Sequence, residues 1–161
     1  MLCWTGIHWK EGGEYCIIFG MDKIIARLVS QIEPIGGLEY NITEDSITVK
    51  KKTDQGFVVI LTRYPDQSFV VNYGHYWHGH FDILEEAENF FISGVTGRAR
   101  LVCTYHWRYL TKAIAEIKSE GQWQQVDEVG SCLGFLVWWL PKRVVYFSNI
   151  LVHGILDPAA E

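Results

Sequence analysis

The sequence lacks an apolar run near the roughly 20 residues that a membrane-spanning helix needs. It also lacks any basic run longer than the three lysines at residues 50–52, and 19 acidic against 14 basic residues give a net charge of -5. Proteins that bind nucleic acid neutralise phosphates with clustered lysine and arginine. These absences predict a protein that binds neither a membrane nor a nucleic acid.

Cysteine is sparse, and its spacing excludes the common zinc and redox motifs. Cys3, Cys16, Cys103 and Cys132 lie far apart, with no C-x-x-C pair among them. Such cysteines are typical of small buried apolar side chains. The first twenty residues also lack the layout of a signal peptide, because charged residues interrupt them. We therefore expect a cytoplasmic protein with reduced thiols.

The motifs of well-known catalytic and nucleotide sites are missing as well. There is no G-x-S-x-G elbow, no G-x-G-x-x-G loop and no Walker motif. Cys103 and His106 are an odd number of residues apart, so a regular strand would direct them to opposite faces. The sequence predicts no cofactor and no catalytic residue of these classes.

The composition that remains is that of one globular domain. The chain has 161 residues, of which 48% are hydrophobic and 20% are charged. This length supports one substantial core. We expect an N-terminal arm at residues 1–20, a single domain at residues 21–152 and a C-terminal tail at residues 153–161.

Two segments have the apolar spacing of amphipathic helices. In the first, which begins near Asp22, apolar residues recur every three or four positions until Pro34 ends the helix. In the second, Asp82 is predicted to cap the helix, with Glu85 in the capping-box position. Its inward face would carry Ile83, Leu84, Ala87, Phe90 and Phe91.

Short segments rich in β-branched and aromatic residues follow each helix, separated by polar turns. The predicted strands are residues 47–51, 57–63, 69–73, 99–105, 122–129, 133–140 and 143–148. Residues 109–118 fit either a helix or a hairpin arm, and their alternating apolar positions favour the arm. The predicted fold is α+β, with antiparallel meanders packed by two helices in the order helix, meander, helix, meander.

Residues 74–149 resemble a group of small, uncharacterised bacterial single-domain proteins. The resemblance lies in W-H-G-H-F at residues 77–81, E-E-A at 85–87, R-L at 100–101 and G-x-W at 121–123. It implies a bacterial single domain, and it carries over no activity and no catalytic residue.

The densest polar cluster lies at residues 75–80, where a strand should lead into the second helix. His78 and His80 would project from the same strand face, as paired imidazole ligands of a metal do. Glu85, Glu86 or His106 would have to supply a third ligand. The alternative is structural, because histidines at strand ends often bond to carbonyls and glutamates favour the first turn of a helix.

Tryptophan is unusually frequent, with seven residues, and Trp138 and Trp139 are adjacent in a predicted strand. Neighbouring strand residues face opposite ways, so one of the two should pack in the core and the other face solvent, a groove or a partner. The structural alternative is that helices or the N-terminal arm cover the second tryptophan. An exposed tryptophan is typical of a protein interface.

Three functional hypotheses follow. The first is a non-catalytic domain that binds another protein, for example a toxin-neutralising immunity protein, and it is compatible with a homodimer. The second is a metal-dependent or acid-base enzyme that uses His78, His80 and a glutamate. The third is a small-molecule binder with a cavity lined by Tyr73, Trp77 and Tyr105.

Overall fold

The computed structural model describes residues 21–149, so the predicted arm at residues 1–20 and the predicted tail at residues 153–161 lie outside the described residues. The described part holds two helices and nine strands, with two short 3-10 segments at Glu33–Ile35 and Cys132–Phe135. The elements in chain order are α1 (Met21–Ile32), β1 (Tyr40–Ile42), β2 (Ser46–Val49), β3 (Val59–Arg63), β4 (Phe69–Tyr73), β5 (Trp77–Phe81), α2 (Leu84–Val95), β6 (Ala99–His106), β7 (Tyr109–Ser119), β8 (Gln122–Gly130) and β9 (Lys142–Ser148).

Helix α1 forms as its apolar spacing predicted. The side chains of Ile24, Ile25, Leu28 and Ile32 recur on one face, and all are buried. Pro34 has no amide hydrogen to continue the helix, and the chain passes there into a single 3-10 turn.

The first sheet is an antiparallel meander in the order β1, β2, β3, β4, β5. Ile47, Leu61 and Val71 lie side by side in register on its inner face and are completely buried. The first predicted meander is therefore confirmed. Strand β1 was not predicted, because three residues are too few to show an alternating pattern.

The N-cap of helix α2 lies one residue later than predicted. Ile83 is its N-cap residue in an extended conformation, and no side chain caps the helix, so the prediction of Asp82 as the cap was wrong. Ile83 is exposed rather than inward-facing, whereas Ala87 and Phe91 are buried. Strand β5 extends to Phe81, so Asp82 still belongs to the connection from the strand and the helix starts after it.

The second sheet has the order β8, β7, β6, β9. Three hairpin-connected strands are followed by a fourth that returns beside the first, which is the Greek-key order. The prediction of residues 109–118 as a hairpin arm is confirmed by β7. The prediction of a second simple meander was wrong.

Residues 133–140 are not a strand, contrary to the prediction. Residues 131–141 connect β8 to β9 through a 3-10 turn and further turns. This connection has to cross from one edge of the sheet to the other. A segment that crosses the end of a sheet cannot join its ladder, however apolar it is.

The two helices and both sheets contribute to one core. Helix α2 lies close to the first sheet because Gly94 has no side chain: a Cβ there would lie 2.5 Å from Cε1 of Tyr73. The Tyr73 hydroxyl donates a hydrogen bond of 2.5 Å to the carbonyl of Phe90. The described residues thus form an α+β single domain with antiparallel sheets.

Asn149 ties the end of β9 to the first half of the chain. The Phe57 amide donates to its Oδ1 atom at 2.9 Å, and its Nδ2 atom donates to the carbonyls of Phe57 at 2.8 Å and Gly94 at 3.1 Å. The neighbouring Ser148 amide donates to the carbonyl of Gln55 at 2.9 Å. One asparagine side chain thus links the loop before β3, the last turn of α2 and β9.

Candidate functional site

The side chains of the W-H-G-H-F segment alternate between the two faces of strand β5. Trp77 lies on the inner face with 3% of its surface exposed, and its ring centroid is 4.9 Å from that of Tyr73. Its indole Nε1 donates to Oδ2 of Asp127 in β8 at 3.0 Å. Trp77 therefore joins the two sheets and has almost no surface to offer a ligand.

His78 and His80 lie on the opposite, exposed face of β5, as predicted. Their ring centroids are 5.3 Å apart, with the rings nearly perpendicular. Two imidazoles on one tetrahedral zinc ion, with Zn–N bonds of about 2.0–2.1 Å, would have centroids about 5 Å apart. The pair therefore has the spacing of two ligands of one ion.

Within residues 21–149, the structure does not bring a third ligand to this pair. Glu85 and Glu86 are exposed in the first turn of α2, and Nδ1 of His106 lies 3.2 Å from the carbonyl oxygen of Leu140 in the second sheet. Among residues 21–149, no group of three or more histidine, cysteine, aspartate or glutamate side chains is arranged to hold a metal ion. The predicted site consists of two histidines in this part of the chain.

The predicted ligand cavity between sheet and helix is filled by aromatic rings. Tyr73 is completely buried between Phe57 and Trp77, with ring centroids 4.9 Å away on both sides. Burial raises the pKa of Tyr73 far above its ordinary value. Burial is the largest cause that raises the pKa of Tyr105 to about 12, and a hydrogen bond with Tyr76 is the next largest. These tyrosines stay neutral near pH 7, and neither Tyr73 nor Trp77 has appreciable exposed surface to offer a ligand.

A small pocket does exist elsewhere, near the end of α2. It is lined by Leu38, Val49, Lys50, Lys52, Thr53, Val95 and Asn149. Its interior has room for about one water molecule. The lining contains none of the three aromatic residues predicted for a ligand cavity.

Cys103 is completely buried in β6, as predicted. Burial raises the pKa of its thiol to about 11, so the thiol remains protonated near pH 7. A protonated thiol without access to solvent cannot act as a nucleophile, and Cys103 is a core residue.

The three most exposed large apolar side chains within residues 21–149, those of Phe135, Trp138 and Trp139, lie in the β8–β9 connection together with exposed Leu136. Phe135, Leu136, Trp138 and Trp139 have exposed fractions of 69%, 50%, 70% and 65%. We call residues 131–141 with these four side chains the aromatic loop. The prediction that one tryptophan is buried and the other exposed was wrong, because it assumed a strand. Both rings project to solvent, perpendicular to each other with centroids 6.3 Å apart.

The β6–β7 hairpin turn adds another exposed aromatic residue to this end of the sheet. Trp107 is exposed and adopts a positive φ of 56°, and its amide donates to the carbonyl of Pro141 at 2.8 Å. The Arg108 guanidinium lies 4.8 Å from the Trp107 ring centroid. Sequence reasoning missed Trp107 and Arg108, although an aromatic residue in a hairpin turn is itself a sign of exposure.

The charges near the aromatic loop differ in sign from the net charge of the protein. Residues 131–141 contain no ionisable acidic or basic side chain, and Lys142 and Arg143 follow them directly. Arg108 adds a third cation from the neighbouring turn. Three cations therefore adjoin the aromatic loop on a chain whose net charge is -5.

No protein-family model matches the chain, and neither a curated protein nor a solved structure was found to match it. These comparisons therefore add nothing to the resemblance noted for residues 74–149. Within residues 21–149, neither helix has the length and apolar character required to cross a bilayer.

Proposed function

We propose that this protein is a non-catalytic interaction domain that binds a partner protein through the aromatic loop. The observation that carries the proposal is the exposure of Phe135, Leu136, Trp138 and Trp139 within five consecutive positions. Single exposed apolar residues are ordinary, but a contiguous apolar patch marks an interaction site.

The side-chain types at this site are those that dominate binding energies at interfaces. Tryptophan and arginine are enriched among residues whose truncation costs at least about 2 kcal/mol of binding energy. Trp138 and Trp139 lie in the loop, and Trp107 and Arg108 lie in the turn bonded to it. Together they offer large, rigid surfaces that lose little conformational entropy on binding.

The charges suggest the chemistry of the partner. Lys142 and Arg143 directly follow the aromatic loop and Arg108 lies in the turn bonded to it, whereas the nearest acidic residue of β8, Glu128, is paired with Lys112 at 2.6 Å. A complementary partner would present an apolar pocket rimmed by carboxylates. A toxin-neutralising immunity protein remains one example of this class, and the free thiol of Cys103 is compatible with the predicted cytoplasm.

The experiment begins with a photo-crosslinking amino acid placed at Leu136, which lies between the aromatic residues. A partner captured this way is then purified, and its affinity is measured by calorimetry for the wild type, Trp138→Ala and Trp139→Ala. We expect replacement of the tryptophan that is more deeply buried in the complex to weaken binding by about 30-fold, which corresponds to about 2 kcal/mol.

A matched control is available in a different element of the fold. Leu136 is 50% exposed in the aromatic loop, and Ile83 is 55% exposed at the start of α2. Leu136→Ala should weaken binding, whereas Ile83→Ala should not. Equal effects of the two changes, or the absence of any captured partner, would contradict the proposal.

A metal-dependent activity at His78 and His80 is a second candidate, supported by their spacing of 5.3 Å. Binding of zinc to untagged protein, measured by calorimetry and lost in His78→Ala, would support it. Asn72, which pairs with His78 across the ladder, provides a nearby control through Asn72→Ala. Zinc binding that is absent, or unchanged in His78→Ala, would exclude this candidate.

A further inference from the structure

The two sheets end in four edge strands, and within residues 21–149 three of them are protected against pairing with another chain. Strand β1 has only three residues. Strand β5 packs against the second sheet through Trp77 and Asp127. Strand β8 is interrupted by an irregularity in its register with β7 and carries Asp127 and Glu128. Short length, cover, bulges and charge are the usual means of protecting an edge.

Among the described residues, nothing gives strand β9 any of these protections along most of its length. It runs for seven residues, pairs with β6 in unbroken register and contains no proline. Its only charges, Lys142 and Arg143, lie at its first two positions. The remaining residues, 144–148, are Val, Val, Tyr, Phe and Ser, a composition with high β propensity.

The hydrogen bonds at both ends of β9 show which of its backbone groups point outwards. Successive strand residues direct their N–H and C=O groups to alternate sides. The Ser148 amide bonds away from β6, to Gln55 at 2.9 Å, whereas the carbonyl of Pro141 bonds towards the β6–β7 turn. Lys142, Val144 and Tyr146 therefore direct their backbone groups away from β6, and within residues 21–149 no strand pairs with them.

We propose that β9 pairs with β9 of a second copy of this chain, in antiparallel orientation about a two-fold axis at Val144. The two four-stranded sheets then become one continuous sheet. This register pairs Val144 with its own counterpart and Lys142 with Tyr146, which uses every outward group of these residues in about six hydrogen bonds. It leaves the bond between Ser148 and Gln55 intact.

The side chains of β9 fit pairing with itself in this orientation. Like charges directly opposite each other destabilise a sheet. Because both cations lie at the start of β9, antiparallel pairing places Lys142 opposite Tyr146 and Arg143 opposite Val145. Val144 and Tyr146 are exposed on the outer face, where the dimer would form a β-branched pair flanked by two lysine–tyrosine pairs.

Charge substitutions on the two edges of the same sheet provide a matched test. Val144 in β9 is 41% exposed and Val126 in β8 is 45% exposed. Sedimentation of the full chain should show a concentration-dependent dimer. Val144→Lys places two lysines opposite each other at the axis and should raise the dissociation constant at least about tenfold. Val126→Lys should leave it unchanged.

A second variant removes only a backbone donor. Val144→Pro deletes the N–H that faces the second copy, a change that an edge strand tolerates when this N–H faces solvent. We expect it to weaken the dimer at least about tenfold while circular dichroism shows a folded monomer.

Three outcomes would overturn this proposal. One is a wild-type chain that stays monomeric at about millimolar concentration. A dissociation constant above about 1 mM corresponds to a binding free energy of less than about 4 kcal/mol in magnitude. Another is a dimer that both Val144 variants leave intact. The third is a dimer lost in Trp138→Ala and kept in Val144→Lys, which would assign self-association to the aromatic loop instead.

Discussion

Two segments of this protein that contain tryptophan differ in whether the tryptophan is buried. In β5, Trp77 is buried between the sheets, while in the aromatic loop both Trp138 and Trp139 are exposed. Hydrophobicity does not separate the two, because the loop segment is the more apolar. The difference is that β5 pairs with β4 along its whole length, whereas the loop crosses the end of a sheet and has no ladder partner.

Pairing fixes the direction of each side chain, and direction decides burial. Trp77, Gly79 and Phe81 face inwards because they alternate with His78 and His80 in a ladder. Without a ladder, adjacent tryptophans can project to the same side. This exposed pair of large aromatic residues forms part of the apolar patch on which the proposed interaction rests.

The largest expected effect is that of Trp77→Ala. Replacing a buried tryptophan removes its packing and leaves a cavity, which typically costs about 3–5 kcal/mol. It also leaves Asp127 without its indole donor. We expect a loss of this size in the free energy of unfolding, measured by urea denaturation. A loss below about 1 kcal/mol would mean that Trp77 is less important to the core than its burial indicates.

Gly79→Ala tests why a glycine separates the two histidines. A Cβ at Gly79 would lie 2.6 Å from Cη2 of Trp77 and 3.0 Å from Phe81. We expect a loss of about 1–3 kcal/mol in the free energy of unfolding, because overpacking has to displace the tryptophan ring. Gly130→Ala in β8 is the control, since a Cβ there would meet nothing within 4 Å. A similar loss in both variants would point to a backbone effect.

The smallest expected effect is that of removing the exposed tryptophans. Trp138→Ala and Trp139→Ala should each change the free energy of unfolding by no more than about 0.5 kcal/mol, as surface substitutions usually do. Thermal denaturation of the two variants measures this. A loss above about 2 kcal/mol in either would show that the loop has a structural role and would remove the contrast with Trp77.

Local patterns in the sequence were sufficient to predict most of the elements. The spacing of Ile24, Leu28 and Ile32 predicts α1, and the alternation of Ala113, Ala115 and Ile117 identifies β7 correctly. In both cases one face is buried by packing close to the element. The return of β9 to the side of β6 could not be predicted in this way, because strand order depends on contacts between residues far apart in the chain.

The candidate site shows the same division. The alternation of histidines predicts that His78 and His80 share a face, and they do. The interpretation of residues 133–140 as a strand failed because apolar content alone does not distinguish a buried strand from an exposed connection. Trp107 joins the site only through the contact of its turn with Pro141, and the sequence contains no sign of that contact.

The hydrogen bonds of Asn149 also bear on the order in which the protein can fold during synthesis. Asn149 is 92 residues from Phe57 and 55 from Gly94 in the chain. The ribosome therefore releases the first sheet and α2 well before the residue that ties them to β9. Until then the nascent second sheet lacks its last strand, and the edge of β6 is open. Contacts of such long sequence separation also slow folding. The completion of β9 is thus the step that covers the edge of β6 and makes β9 the outer strand of the second sheet.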